Sequence, residues 1–349
     1  MQIVTVQTKK QIEQFKSFRK KLYENDPYYV STAEFTLDML LYKETSFAQN
    51  IEIYPIMGME GEEVLLISLL IHNPKDDFLQ VSFFEALEGI ETQVESFMDY
   101  AKDFAKRRGL KKIIIGLNGH LSYGVGFSLD MKIPNTFDST YTKLYYSKYF
   151  EGYQKHELVA FSNVPSAVLS RLPSRETGIQ IRTLDLKHFD EEMEKLRIIC
   201  DETIGTTFLY TKTDRAHFYD LLKSMTFFLK PENILFAEDR GQVVGFVFWH
   251  PDYNEILKKG KHNSLFEIAA RYLLLKSKIK KVKLNAMGVR REYQGITTVK
   301  LLNELGKYVC KYDAIETNFV WCNNQKSMAL NQSLLQNIER KFAVYEVNL

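Results

Sequence analysis

Val282-Lys283-Leu284-Asn285-Ala286-Met287-Gly288-Val289-Arg290-Arg291-Glu292-Tyr293-Gln294-Gly295-Ile296-Thr297-Thr298 runs from an apolar segment through a glycine turn to a helix start. Its first eight residues predict a strand, Val282–Val289. The turn that follows holds a glycine, and small hydroxylated residues stand at the start of a helix carrying Leu301, Leu302, Leu305, Tyr308 and Val309. Free backbone N–H groups and the positive helix end suit such a junction to a phosphate. A strand-to-helix loop also needs a glycine and a capping threonine for purely structural reasons. By itself, therefore, the junction fixes local structure and only nominates a ligand.

Upstream, the same order of elements occurs twice. Ile3–Val6 predicts a strand, followed by a helix with Ile12, Phe15, Phe18 and Leu22 on its apolar face; Thr8 and Gln11 have the spacing of a capping box. The second half opens alike, with Ile179–Arg182, Asp185, and a helix carrying Phe189, Met193, Leu196 and Cys200. Each half then shows a strand pair with a glycine turn. These are Ile51–Met57 and Val64–Ile71 around Glu60-Gly61, and Ile234–Ala237 and Val243–Trp249 around Arg240-Gly241.

A third strand follows in each half, at Leu79–Phe84 and Val282–Val289. The first enters a helix striped with Ile90, Val94, Phe97, Met98, Ala101, Phe104 and Ala105. Strands at Lys112–Ile115 and Ala314–Trp321 come next. Each half ends on a helix and a strand: Tyr145–Phe150 then Glu157–Phe161, and Leu330–Ile338 then Ala343–Val347. Tyr253–Lys280 reads as an insertion in the second half, and Asn163–Gly178, with Pro165, Ser166, Pro173 and Ser174, as a linker. The expectation is two α/β domains, 1–163 and 179–349, each a mixed twisted sheet flanked by helices.

Composition bounds the function classes. The 349 residues carry a net charge of +2, 45% apolar and 26% charged residues, ordinary values that exclude a disordered chain. Near-neutral charge gives no global case for nucleic acid or an anionic membrane. Cys200, Cys310 and Cys322 form neither a disulfide framework nor a metal-ligand spacing, and the seven histidines are scattered, so no metal is expected. The N-terminus lacks the apolar core of a signal peptide, and Val64–Ile71 is too short to span a bilayer. A reduced, cytoplasmic protein without a membrane span is the expectation.

On the window Lys283–Val289, the turn Glu292-Tyr293-Gln294-Gly295 and the helix with Leu301-Leu302, the chain resembles the GNAT superfamily of acyl-CoA N-acyltransferases. Its overall order of elements resembles tandem proteins with two GNAT-like halves. Arg19–Val30, with Tyr23, Asp26, Pro27 and Tyr28, resembles their N-terminal helix and following loop. The resemblance implies that the fourth strand splays from the fifth and opens a cleft for acetyl-CoA or another acyl-CoA as cosubstrate. It further implies that backbone amides of Met287, Gly288 and Val289 hold the pantetheine arm or a developing oxyanion. Gln294, Gly295, Ile296, Thr297 and Thr298 are then implied to meet the pyrophosphate, and Asn324 to cap the next helix beside the cleft. The amine of a small molecule or peptide is implied to attack the thioester directly.

The chain departs from the family pattern in places. Gln294 fits the first position of Gln/Arg-x-x-Gly-x-Gly/Ala, but Thr297 and Val299 stand where small residues are expected. A β-branched residue at 297 predicts poorer approach of a pyrophosphate, and Thr297→Gly is expected to tighten binding. Asn331 stands where many members carry a tyrosine general acid, and an amide cannot donate a proton as a phenol can. Phe83-Phe84-Glu85-Ala86-Leu87-Glu88-Gly89 holds no phosphate-loop pattern, so the second half is the expected CoA-binding one.

The catalytic residues stay unassigned; Asp201 and Glu202 are candidates for a base by position alone, against a solvated helix end. Asn118–Phe127, with His120, Ser122 and Tyr123, reads as a turn or a polar binding loop, and His250 as a structural residue or part of a substrate cleft. Lys276, Lys278, Lys280, Lys281 and Lys283 read as a solvated face, with nucleic-acid or membrane contact the other reading. Two further functions compete with acyl transfer. One is a degenerate GNAT-like protein that binds a ligand or partner, favoured by Thr297 and Asn331. The other is transfer from aminoacyl-tRNA, against which the lack of a basic surplus counts.

Overall fold

The computed structural model describes residues 1–31, 33–130, 133–169, 172, 178–223 and 228–349. The chain begins with β1 (Gln2–Thr5), α1 (Lys9–Leu22), β2 (Val30–Ser31), α2 (Ala33–Leu41) and α3 (Ser46–Gln49). Next come β3 (Glu52–Glu60), β4 (Glu63–His72), β5 (Phe78–Ala86), α4 (Glu91–Arg107), β6 (Lys112–Ile115), β7 (Phe127–Ser128), α5 (Tyr146–Tyr149) and β8 (Gln154–Asn163). Then follow α6 (Pro165–Leu169), β9 (Gln180–Thr183), α7 (Phe189–Thr203), α8 (Arg215–Lys223), β10 (Ile234–Asp239), β11 (Gln242–Pro251) and β12 (Lys261–His262). The last elements are α9 (Leu265–Leu275), β13 (Lys281–Val289), α10 (Ile296–Val309), β14 (Ala314–Thr317), β15 (Val320–Trp321), α11 (Gln325–Leu334) and β16 (Asn337–Asn348). Of the expected linker, Pro165 and Ser166 lie in α6, whereas Pro173 and Ser174 lie outside the described residues.

Local signals explain the elements they predict. Thr8 Oγ1 accepts from the Gln11 N–H and the Gln11 side chain accepts from the Thr8 N–H, a complete capping box at the start of α1. Arg240 and Gly241 both adopt positive φ (49° and 79°), the twist a tight hairpin needs between β10 and β11.

The chain forms two compact units. One comprises residues 1–158, 257–267 and 340–349; the other comprises 159–256 and 268–339. In the first, β1, β3, β4 and β5 pair antiparallel in turn, β5 pairs parallel with β6, and β6 pairs antiparallel with β16. In the second, β9, β10, β11 and β13 pair antiparallel, β13 pairs parallel with β14, and β14 pairs antiparallel with β8. The two sheets have the same order and the same polarity, as the repeated pattern predicts.

Four features differ from the expectations. The closing strands are exchanged: Tyr345 of β16 pairs with Ile115, and Asn163 of β8 pairs with Ile315. The expected insertion is divided too, since Lys261 of β12 pairs with Val30 of β2 and residues 257–267 belong to the first unit. The expected strand Ala314–Trp321 breaks into β14 and β15, because the Asn318 N–H turns to the Leu284 carbonyl at 2.8 Å. The last helix stops at Leu334, four residues short of Ile338, where Gln336 at φ 66° starts the turn into β16.

The first core packs α4 (Val94, Phe97, Met98, Ala101) on Leu66, Leu79, Val81 and Ile113. In the second unit α10 (Leu301, Leu302, Leu305, Val309) covers Leu235, Val247, Val282 and Ile315 on one side of the sheet. On the other side α7 (Met193, Leu196, Ile199, Cys200) covers Phe236, Phe246 and Phe248. Each sheet is thus buried on both sides, so its strands read as near-continuous apolar runs.

Candidate functional site

In the second unit the parallel pairing of β13 and β14 ends at Leu284 and Thr317. On the opposite edge, Leu284 faces Trp249 and Ala286 faces Phe248, leaving Asn285 as an extra residue. Such a bulge bends and twists its strand. Past it, Ala286, Met287, Gly288 and Val289 pair with Phe248, Val247, Phe246 and Gly245 of β11 only, among the described residues. The two parallel strands therefore part company after Leu284, and one edge of Ala286–Val289 faces no strand among the described residues.

Gly288 is demanded by packing. A Cβ there would lie 2.1 Å from Thr203 Oγ1 of α7 and 2.8 Å from the Phe246 ring. The chain then leaves the strand with the Arg290 N–H on the Val244 carbonyl and makes a single turn of 3-10 helix at Arg291–Tyr293, anchored by Tyr293 Oη donating to Asp239 at 2.9 Å. The Gln294 amide reaches back to the Val289 carbonyl. Gly295, at φ 87°, is the cap of α10; a Cβ on it would meet nothing within 4 Å, and as a glycine it brings no side-chain cap to the first turn. The N–H groups of Ile296, Thr297 and Thr298 thus stand at an open helix start, where the unsatisfied amides carry partial positive charge.

Thr297 bears on one expectation. Its side chain is 2% exposed, so the β-branch presents almost no surface at the helix start. It is Ile296, 44% exposed, that projects outward. Asn324 caps α11 as expected, accepting from the Ser327 N–H at 3.1 Å. The Asn331 amide donates to the Ser327 carbonyl at 2.8 Å within the same helix. The indole N–H of Trp321, at the end of β15, is buried with no acceptor among the described residues.

The positional base candidates are already engaged. Asp201 accepts from Tyr210 Oη at 2.8 Å and from Arg197 at 3.0 Å, while Glu202 pairs with Arg290 at 2.7 Å. Burial and the Asp201 carboxylate hold the Tyr210 hydroxyl well above its ordinary pKa. His250 is 1% exposed and stacks on Tyr253, its ring centroid 5.7 Å away. Burial, opposed by the Pro251 carbonyl and reinforced by the Lys283 charge, lowers its pKa to about 3, so it is a neutral core histidine.

The lysine run divides in the structure. Lys276, Lys278 and Lys280 are exposed, but Lys283 is fully buried, in register with His250 on β11 and Glu316 on β14. Strand alternation is the signal that separates them: Lys283 lies between Val282 and Leu284, both in the α10-side core, and so faces the α7 side.

The first unit has the equivalent splay, with pairing of β5 and β6 ending at Val81 and Ile115 and Phe83 at φ 48°. Here the freed edge is taken. The Ala86 N–H donates to Tyr146 Oη at 2.9 Å, Tyr145 Oη donates to the Ala86 carbonyl at 2.7 Å, and Tyr149 Oη donates to the Leu87 carbonyl. Glu85, 3% exposed, accepts from Arg19 Nε (2.9 Å), Tyr23 Oη (2.6 Å) and Tyr146 Oη (2.8 Å). Burial, then the Glu85 charge, raises both tyrosine pKa values, so the hydroxyls stay protonated. Arg19, Tyr29, Glu85, Asn118 and Tyr141 line a cavity at this point. In the Asn118–Phe127 loop, Asn118 Oδ1 accepts from the Phe83 N–H and so ties the loop to β5, while His120 Nδ1 accepts from the Ser122 N–H and holds the turn itself. The α4 start carries Glu91 in its first turn and Glu88 just before it.

No helix among the described residues is long and apolar enough to cross a membrane, and none of their His, Cys, Asp and Glu side chains gather as a metal site. No family model matches the sequence. A bacterial ceramide synthase from Caulobacter vibrioides is 23% identical over 318 residues, covering 84% of this chain and 82% of that protein. Among solved structures, a tandem GNAT protein from the clavulanic acid biosynthesis pathway matches with a TM-score of 0.56 and 9% identity, over 99% of this chain and 98% of the other. A GCN5-related N-acetyltransferase from Sphaerobacter thermophilus matches with 0.52 and 12%, over 99% and 95%. The chain has the tandem GNAT fold.

Proposed function

We propose that the chain is an acyl-CoA-dependent N-acyltransferase whose second unit holds the cosubstrate. The observation that carries this reading is the contrast between the two splayed edges: in the first unit tyrosines occupy the strand edge and acidic residues flank the helix start, whereas in the second both are open. The open α10 start fits a pyrophosphate, with the amides of Ile296, Thr297 and Thr298 as donors and Gln294 and Gly295 shaping the turn. The edge of Met287–Val289 fits the amide groups of a pantetheine arm, and the orphaned Trp321 N–H supplies a further donor. Bound acyl-CoA supplies an acyl group activated as a thioester.

The chain's own residues hold and orient it for attack by an amine. Asp201 and Glu202 are committed to Tyr210, Arg197 and Arg290, so neither is assigned as base. Relationship to a ceramide synthase supports a long-chain amine as the acceptor class. Asn331, which has no ionisable proton, favours a second reading in which the fold binds acyl-CoA without transfer.

Calorimetric titration with CoA tests the reading. Wild type binds at one site, and Ile296→Glu weakens binding at least tenfold by placing a carboxylate at the helix start. The same change leaves stability equal or slightly higher, by about 0.3–1 kcal/mol, since a carboxylate suits that helix end. Failure of the wild type to bind overturns the proposal. Binding without amine-dependent release of the CoA thiol selects the second reading.

A further inference from the structure

The outward face of α9 has no charged residue. At 100° per residue, Phe266, Ala269, Ala270, Leu273 and Leu274 fall on one arc, while Ile268 and Tyr272 are buried on the other side. Phe266 is 82% exposed, Leu273 63% and Leu274 81%; the next most exposed large apolar side chain among the described residues is Tyr42 at 49%. An apolar helix face so far out of line with the rest of the surface marks an interaction site.

Lys276, Lys278 and Lys280 follow the helix directly. All three are exposed, and none pairs with a carboxylate among the described residues. We propose that α9 and this lysine run form a docking surface for an anionic lipid bilayer, with Leu273 and Leu274 entering the boundary between headgroups and acyl chains and the lysines lying against anionic headgroups. Charge selects this occupant. A second copy packed parallel on this face would bring its own lysines toward these, and neither a second copy nor a nucleic acid offers the anionic headgroups above an apolar layer that the lysines and leucines together match. At eleven residues the helix lies on the membrane and does not cross it. The inference does not rest on acyl transfer.

Cosedimentation of the full chain with vesicles tests it, using phosphatidylcholine alone or mixed with phosphatidylglycerol. Binding is expected only with phosphatidylglycerol and is expected to weaken with added salt. Removing lysines one at a time, as Lys276→Ala, Lys278→Ala and Lys280→Ala, costs about fivefold in partitioning each. The pair Leu273→Glu and Leu274→Glu abolishes binding while the melting temperature is unchanged, because both side chains are exposed. A cysteine at Leu274 carrying an environment-sensitive dye gives a blue shift with the same vesicles. No preference for phosphatidylglycerol, or binding unchanged in the leucine variant, overturns the proposal. So does a dimer in light scattering that the leucine variant dissolves while vesicles are ignored, or retention on duplex DNA without vesicle binding.

Discussion

Thr203 Oγ1 stands 2.1 Å from where a Cβ on Gly288 would lie, and the hydroxyl is held there by its bond to the Ile199 carbonyl at 2.6 Å. The glycine of β13 therefore exists for the sake of α7. Gly288→Ala is expected to destabilise the protein by about 1–3 kcal/mol through overpacking. Gly288→Ala with Thr203→Ala should recover only part of the loss, because the Thr203 Cβ is itself 2.8 Å away. Thermal melts of the single and double variants check this.

Thr297→Gly is expected to lower stability by about 1 kcal/mol or more, from helix propensity and lost burial. Since the threonine side chain is buried, CoA affinity should not rise. Denaturant unfolding and CoA titration of the same variant separate the two effects; tighter binding would restore the view that residue 297 obstructs the phosphate.

His250 makes the protein acid-sensitive in a defined range. Its folded-state pKa of about 3 lies below the ordinary histidine value of 6.5, so on acidification the unfolded chain takes up a proton that the folded chain refuses. Stability from this group is complete above pH 6.5 and declines as pH falls toward 3, at ~1.4 kcal/mol per pH unit. His250→Phe should flatten that limb of the stability profile, whatever it does to stability at neutral pH. Urea midpoints measured at stepwise pH values give the slope.

Tyr345→Ala should loosen the first unit although residue 345 lies near the chain's far end. The ring sits in the first core beside Phe127 and Phe150, and its loss is expected to cost about 3–5 kcal/mol. Hydrogen exchange should rise at Ile113 and Ile115 and stay low at Val282 and Leu284.

What the sequence made legible was local. The capping box of Thr8 and Gln11, the Arg240-Gly241 hairpin and the junction from β13 to α10 each depend on neighbours a few residues away, and periodicity and turn chemistry carry that information. The destination of a strand does not. Ala343–Val347 and Glu157–Phe161 read correctly as strands, but nothing in their alternation names the sheet they join. Residues 257–267 were equally opaque, since a two-residue pairing of Lys261 with Val30 leaves no periodic trace. At the junction, the glycine turn and the family resemblance nominate Gln294–Thr298, whereas the burial of the Thr297 side chain depends on helix phase against a core. Lys283 was hidden by its company, four other lysines of which three are exposed.

The exchange of closing strands bears on the order in which the protein can fold as it is made. A ribosome delivers β1 through β6 early, yet the neighbour that β6 requires, β16, follows every other strand. Until then the nascent first sheet has an exposed edge at Ile113–Ile115, apolar residues that invite pairing with another chain. The strand β14 has no such wait, because β8 is synthesised before β9 to β14 and is at hand when β14 appears. The later-made β14 thus finds its antiparallel neighbour before the earlier-made β6 does, against the usual N-to-C order of co-translational assembly.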